Sequence, residues 1–243
     1  MAVLSLTSAT IYGHGYDFSG DTNKVSLKAM ADELDTTTFA SGGYRERIGG
    51  LRAVEFGADG FWQAGSGKVA EELFPDLGTA DRVFTVCPTG TAATTAYMFQ
   101  AGKFSVEEFA AVGDVAPFSL SAMGTSSHGL IRGQLAKAKG SVSATGVLGS
   151  VLNITAPTAS QYIYVAVHCF SAGTTVTIQL QSDTASNFPS ATTQATLSAI
   201  TSAGGTWMTR VAGGSLSGED YWRLNVSAIT GTFSLAAAIG VGS

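Results

Sequence analysis

The chain holds three histidines, His14, His128 and His168, and two cysteines, Cys87 and Cys169. A zinc centre needs three or four such ligands at characteristic spacing, and these five are scattered. His14 sits between glycines, His128 in a Ser-Ser-His-Gly turn, and His168 late in an apolar run. Both cysteines end apolar runs, Val83–Cys87 and Val165–Cys169, and read as buried free thiols. The carboxylate pairs Asp32-Glu33, Glu71-Glu72, Glu107-Glu108 and Glu219-Asp220 are adjacent in sequence. Neighbours on a strand point to opposite faces, so such pairs are poorly placed to share a proton. Serine is abundant, yet no Gly-x-Ser-x-Gly elbow raises one as a nucleophile, and Gly146-Val-Leu-Gly149-Ser150 misplaces its serine. Gly13-His-Gly15, Gly42-Gly43 and Gly49-Gly50 lack the βαβ setting of a dinucleotide fingerprint. The expectation is a protein without catalysis, metal or cofactor.

Two weaker signals remain. Asn153-Ile-Thr155 and Asn225-Val-Ser227 match the glycosylation sequon, but Met1–Ser5 offers neither a basic n-region nor a long apolar stretch, so the matches read as chance. Tyr162, Tyr164, Phe170, Trp207, Tyr221 and Trp222 could form a sugar-stacking platform or simply fill a core.

Composition narrows the class of protein that must position these residues. Charged residues are 13% of the chain, about half the usual share. From Ser141 onward the only charges are Asp183, Arg210, Glu219, Asp220 and Arg223. A net charge of -5 opposes a groove that grips nucleic acid. No apolar run approaches a membrane span in length, and the chain reads as made in the cytoplasm.

The pattern of apolar residues predicts a mainly β protein. Val3–Tyr12 reads as an N-terminal strand or arm. In Lys24–Phe39, Val25, Leu27, Ala29 and Ala31 share one face while Lys24, Ser26, Lys28, Met30 and Asp32 share the other. Leu51–Gln63 is the expected partner strand, joined through a glycine-rich, charged loop, Ala40–Gly50. Ser66 is placed to cap a short helix carrying Val69, Leu73 and Phe74, ended by Pro75 and Gly78. Strands follow at Arg82–Cys87, Ala93–Gln100, Val115–Met123 and Leu130–Leu135, with a helical turn opened by Ser105 and boxed by Glu108. Ala136–Gly146 reads as a linker. Seven short alternating segments come next: Val147–Thr155, Tyr162–Phe170, Thr175–Gln181, Ala195–Ile200, Trp207–Val211, Tyr221–Val226 and Thr232–Val241. They suggest a sandwich or jelly-roll-like unit.

The order of features is similar to that of a known family. Asn23-Lys24-Val25-Ser26-Leu27 leads to Leu34-Asp35-Thr36-Thr37-Thr38-Phe39, then to the charged loop, Gly50-Leu51, Gly60-Phe61-Trp62 and the short helix. The second half adds Tyr164–His168, Gln181-Ser182-Asp183, Gly205-Thr-Trp207 and Tyr221-Trp222-Arg223, closing on Ala238–Gly242. Over nearly the whole chain this resembles the major tail proteins, or tail tube proteins, of long-tailed bacteriophages.

That resemblance implies a structural virion protein of the tail, assembled in the host cytoplasm. It implies a tail-tube-type β-barrel or sandwich with a flanking α-helix and a long β-hairpin loop in residues 1–140, and a β-sandwich in 141–243. The partners would be copies of itself in stacked hexameric rings, or pseudo-hexameric trimers if 141–243 were a diverged second copy. Tape measure, tail terminator and distal tail proteins would join them, with genomic DNA present only in passage and no membrane involved. Tyr44, Arg45, Glu46 and Arg47 become candidates for contact between rings. Asp32, Asp35, Glu55 and Asp59 become candidates for the lumen, although Lys24 and Lys28 share the Asp32 face. The second half would decorate the tube or add to its wall. The alternative is a capsid decoration protein or a carbohydrate-binding tail module that uses the aromatic C-terminal half.

Overall fold

The computed structural model describes the chain apart from residues 1–5, 7, 66, 110, 112, 213–215, 217 and 243. Fifteen strands are described: β1 (Thr10–Gly13), β2 (Tyr16–Asp17), β3 (Thr22–Asp35), β4 (Arg47–Phe61), β5 (Arg82–Cys87), β6 (Thr95–Glu108), β7 (Pro117–Gly124), β8 (Ile131–Val142), β9 (Gly146–Asn153), β10 (Tyr162–Ser171), β11 (Thr175–Asp183), β12 (Thr192–Thr196), β13 (Gly204–Ala212), β14 (Tyr221–Thr230) and β15 (Phe233–Gly242). The described α-helix, α1, is Val69–Leu73. The fold is mainly β with antiparallel ladders throughout, as expected.

Eleven strands form one sheet. Its main path runs β13-β10-β15-β8-β6-β5-β1-β2, and a branch leaves β6 through β7 and β4 to β3. The branch exists because β6 is long enough to serve two neighbourhoods. Its Tyr97–Ala101 segment pairs with β5, whereas Ala101–Glu108 pairs with β7 across a bulge between Lys103 and Ser105. Bulges bend strands and increase their twist, so the sheet curls around a core containing Phe56, Ala58, Phe84, Phe99, Phe118 and Leu120. Val69 and Leu73 press α1 onto that core. The expected helical turn at Ser105 is therefore strand, because pairing with β7 outweighs a local capping signal.

The four-stranded sheet β12-β11-β14-β9 covers β10, β13, β15 and β8, and the sandwich between them is filled by Val165, Val167, Ile178, Leu180, Trp222, Leu224 and Leu235. Six of the seven segments expected in this half are strands at nearly the expected places; the seventh, expected at Ala195–Ile200, lies earlier, as Thr192–Thr196.

Ala136–Gly146 is not a linker. β8 runs through most of it and pairs with β15 from Val142↔Phe233 to Arg132↔Val241. Glycines on either side of this segment sit where another backbone comes close. A Cβ on Gly133 would lie 2.0 Å from Ile239 O, and one on Gly149 would lie 2.1 Å from Ala136 O. Residue 140 thus falls inside a strand shared by both halves. A third core cluster, with Tyr12, Val83, Met98, Ile131, Tyr164 and Ala238, crosses the same seam. Helix α1 starts after Lys68, which makes no side-chain cap hydrogen bond; the expected cap, Ser66, lies outside the described residues.

Candidate assembly surface

The strand pair β3–β4 is the longest ladder in the molecule, running from Thr22↔Gly60 to Asp35↔Arg47. It forms because Val25 and Leu27 pack on the core beneath Phe56 and Ala58, while the other face stays polar. On its far side β4 pairs with β7 only from Glu55 to Phe61. Beyond Glu55 the ribbon has no third strand, so Arg47–Val54 and their β3 partners project as a two-stranded arm. Its reach is about 25 Å at ~3.3 Å per residue. Among the described residues β3 has a ladder partner only in β4, and a cleft of about 670 Å3 separates it from Ala9–Ile11 of the opposite wall. Within the described residues the curled sheet is a barrel left open along one edge.

The arm ends in a tip of residues 36–46, shifted toward the N-terminus from the expected loop because Arg47 starts β4 and Thr36–Phe39 turn the chain. Asp35 Oδ1 accepts the Thr37 N–H at 2.8 Å, and the Thr37 side chain, then this amide, hold its carboxyl below the usual range. Thr37 Oγ1 accepts from Glu46 N at 2.9 Å, and Thr36 N donates to Glu46 O. Gly42 and Gly43 turn with φ of 63° and 86°. Arg47 pairs with Glu33 at 2.6 Å. These bonds order the tip and leave its large side chains outside. Tyr44 and Leu51 are each 82% exposed, Phe39 is fully exposed, and Leu34 and Ile48 are about half exposed. An open, apolar edge of this kind is an aggregation hazard in a lone molecule.

The expected lumen acids divide into two groups. Glu55 and Asp59 lie on the polar face of the ribbon, where Lys28 and Lys24 stand directly opposite in register. Lys24 Nζ reaches Asp59 Oδ2 at 2.9 Å and Lys28 Nζ reaches Glu55 Oε2 at 3.6 Å. The Lys24 bond, with Ser119 Oγ at 2.7 Å, lowers the Asp59 pKa. Asp32 and Asp35 lie out on the arm. Glu55 and Asp59 are therefore offset by lysines, and the face is not uniformly acidic.

Apart from Ser26, its other residues went unnoticed in the sequence. Register places Ser26, Gly57, Ser119, Ser121, Ser105 and Glu107 on this same face. The signal was the alternation Phe118-Ser-Leu-Ser-Ala122, with apolar residues inward and serines outward. Tyr44, Arg45 and Glu46 share the tip, and Arg47 stands at its base, so the four expected contact residues are neighbours in space.

The histidines are structural. His168 is wholly buried on β10; Thr85 Oγ1 lies 2.8 Å from Nε2, and Nδ1 donates to His14 O at 3.4 Å. Burial lowers its pKa to about 3. His14, at the β1–β2 turn, accepts the Gly205 N–H at Nδ1 and faces Arg82 Nη1 at 2.9 Å. Burial, and then the guanidinium, keep it neutral. Together they tie β1 and β5 to β10 and β13 across the seam. Lys139 adds an ion pair with Asp17 and sits 4.7 Å over the Phe170 ring. Beside α1, the half-buried Arg82 pairs with Asp76, and buried Lys103 Nζ donates to Glu72 O at 2.5 Å. These contacts fix the helix onto β6. Among the described residues no group of His, Cys, Asp or Glu could hold a metal.

The aromatic platform does not form. Trp222 and Tyr164 are buried, Trp222 Nε1 donating to Glu219 O at 2.9 Å. Trp207 packs on Tyr164 and His128 instead. Cys87 and Cys169 are buried free thiols, as expected, and burial pushes Cys87 up to about 12.

No protein-family model and no curated protein matches the chain. Among solved structures it is similar to the tail of an empty gene transfer agent particle, refined with C6 symmetry: identity 17%, 45% of this chain and 80% of that one, TM-score 0.37. It is also similar to a sheath–tube complex of an extracellular contractile injection system in the extended state: 12%, 54% and 92%, TM-score 0.41. A third likeness is to the Dit protein of phage SPP1, described as a hub of the adsorption apparatus in phages infecting Gram-positive bacteria: 12%, 95% and 98%, TM-score 0.35.

Proposed function

We propose that this chain is a non-catalytic, ring-forming subunit of a phage-type tail, and specifically a tube subunit whose rings stack into a conduit for DNA. The observation that carries this reading is the incomplete barrel. Its branch β6-β7-β4-β3 ends on an open edge and continues as an apolar-tipped arm, and among the described residues neither feature has a partner. Rotational assembly supplies a neighbouring strand to each open edge and removes the hazard.

Within a ring, the polar face with Ser26, Gly57, Ser105, Ser119 and Ser121 lines the lumen. Its paired charges and short hydroxyls give a passing polyanion little to hold. The core-facing side, with α1, lies outward. Residues 141–243 form a companion sandwich on the exterior, joined through β8 and β15. Among the described residues this half has no helix and no ribbon like β3–β4, which supports a ring of six chains over one of three. Tape measure, tail terminator and distal tail proteins are the partners this role requires, and the virion tail is its location. Burial of Trp222 and Tyr164 takes two of the six aromatics away from a sugar-binding surface, which favours the tube reading over the carbohydrate-binding one.

Negative-stain microscopy of the purified protein tests the reading. Rings or tubes with a central hole about as wide as DNA are expected; a stable monomer at high concentration would overturn it.

A further inference from the structure

The arm needs a receptor, and the end of the ribbon opposite the arm has the properties of one. At that end Phe61 closes β4 and is about half exposed, while Phe109 and Val115, on the β6–β7 connection, are 68% and 71% exposed. Trp62 lies against Phe109 with ring centroids 6.0 Å apart. Phe109 has a φ of 78°, a backbone state bulky residues rarely adopt, yet it presents its ring to solvent.

The arm tip carries the Tyr44 hydroxyl, the Arg45 guanidinium and the Glu46 carboxylate beside the exposed Phe39 ring, a mix of apolar and charged groups suited to this patch and its acidic border. Arg45 has no ion pair among the described residues, nor have Glu107 and Asp114, which border the patch.

We infer that the patch of Phe61, Trp62, Phe109 and Val115 is the socket for the arm tip of a second copy of this chain. This deepens the ring-stacking reading and rests on it. A tip and a socket at opposite ends of the fifteen-residue β4 cannot meet within one molecule. The contact is heterologous, joining unlike surfaces, and so propagates without closing.

The test uses two full-length variants. Y44A/R45E disables the tip. F109N/V115D disables the socket, with asparagine chosen because it tolerates positive φ. Each alone is expected to give single rings, and an equimolar mixture is expected to give pairs of rings and nothing longer, since only one working tip and one working socket remain to meet. Tubes from F109N/V115D, or a mixture that stays as single rings, would overturn the socket while leaving the ring-stacking reading intact. A parent chain that forms no rings would overturn that reading itself. Should F109N/V115D not fold, the Y44C/V115C chain decides: oxidation should yield a ladder of linked copies on a non-reducing gel, and its absence would contradict the docking.

Discussion

His168 shows how a residue suited to catalysis is used for architecture. It is buried between Thr85 and the His14 carbonyl, and His14 in turn accepts from Gly205. Both rings stay neutral in the fold but charge near pH 6.5 once unfolded. The unfolded chain therefore binds more protons below that pH, and folding stability falls with it. The contribution is complete above about pH 6.5 and is lost as pH drops toward the folded value of about 3 for His168. Urea midpoints should decline between pH 6.5 and 5, where ordinary carboxylates stay ionised, and H168Q should flatten that decline. An unchanged slope would acquit the histidine. Trp222 belongs to the same scale: W222A should cost about 3–5 kcal/mol, as large aromatic truncations in cores do, and a loss within experimental error would contradict its placement. Residue types alone excluded common catalytic patterns, but they could not say which aromatics were buried. The Trp222 environment is made by β9 and β11, distant in sequence, and alternation gives no sign of how far inside a strand will sit.

At the scale of elements, the β3–β4 ribbon was legible because its apolar residues alternate over a long stretch and its tip is rich in glycine. Its limits were less so. Thr36–Phe39 are good β-formers, yet the Thr37–Glu46 bonds turn the chain before they can extend β3. Replacing residues 38–45 by Asn-Gly, a two-residue hairpin turn, should leave a folded subunit that forms rings without stacking. Normal tube growth by that variant would refute the role given to the tip. Amides of Ala31–Asp35 and Arg47–Arg52 should exchange rapidly in isolated subunits, where the arm lacks a third strand, and slowly once assembled. Protection there before assembly would show that the arm already has a partner. β8 was foreseen only in its first part, Leu130–Leu135, because the Ala, Lys, Gly and Ser residues beyond it carry little β signal. What makes it a strand is β15, about a hundred residues downstream.

At the scale of the molecule, the scarcity of charge after Ser141 now has a structural cause. Those residues build both layers of a sandwich whose inner faces are apolar and whose outer strands are largely Thr, Ser and Gln. The working surfaces lie instead in the first half, in an open barrel edge, a serine-lined face with matched charges, and an arm. Their individual residues could be read from sequence, but their meaning could not, because an unpaired edge is visible only when every other strand has been assigned a neighbour. The seam through β8, β10 and β15 makes the two halves one continuous sheet, so movement of the sandwich would be felt by the ring. The account stands or falls on assembly. Electron microscopy of the purified chain across a concentration series is its most direct test: six-fold rings that stack into hollow tubes as concentration rises are predicted, and a homogeneous monomer at every concentration would contradict it.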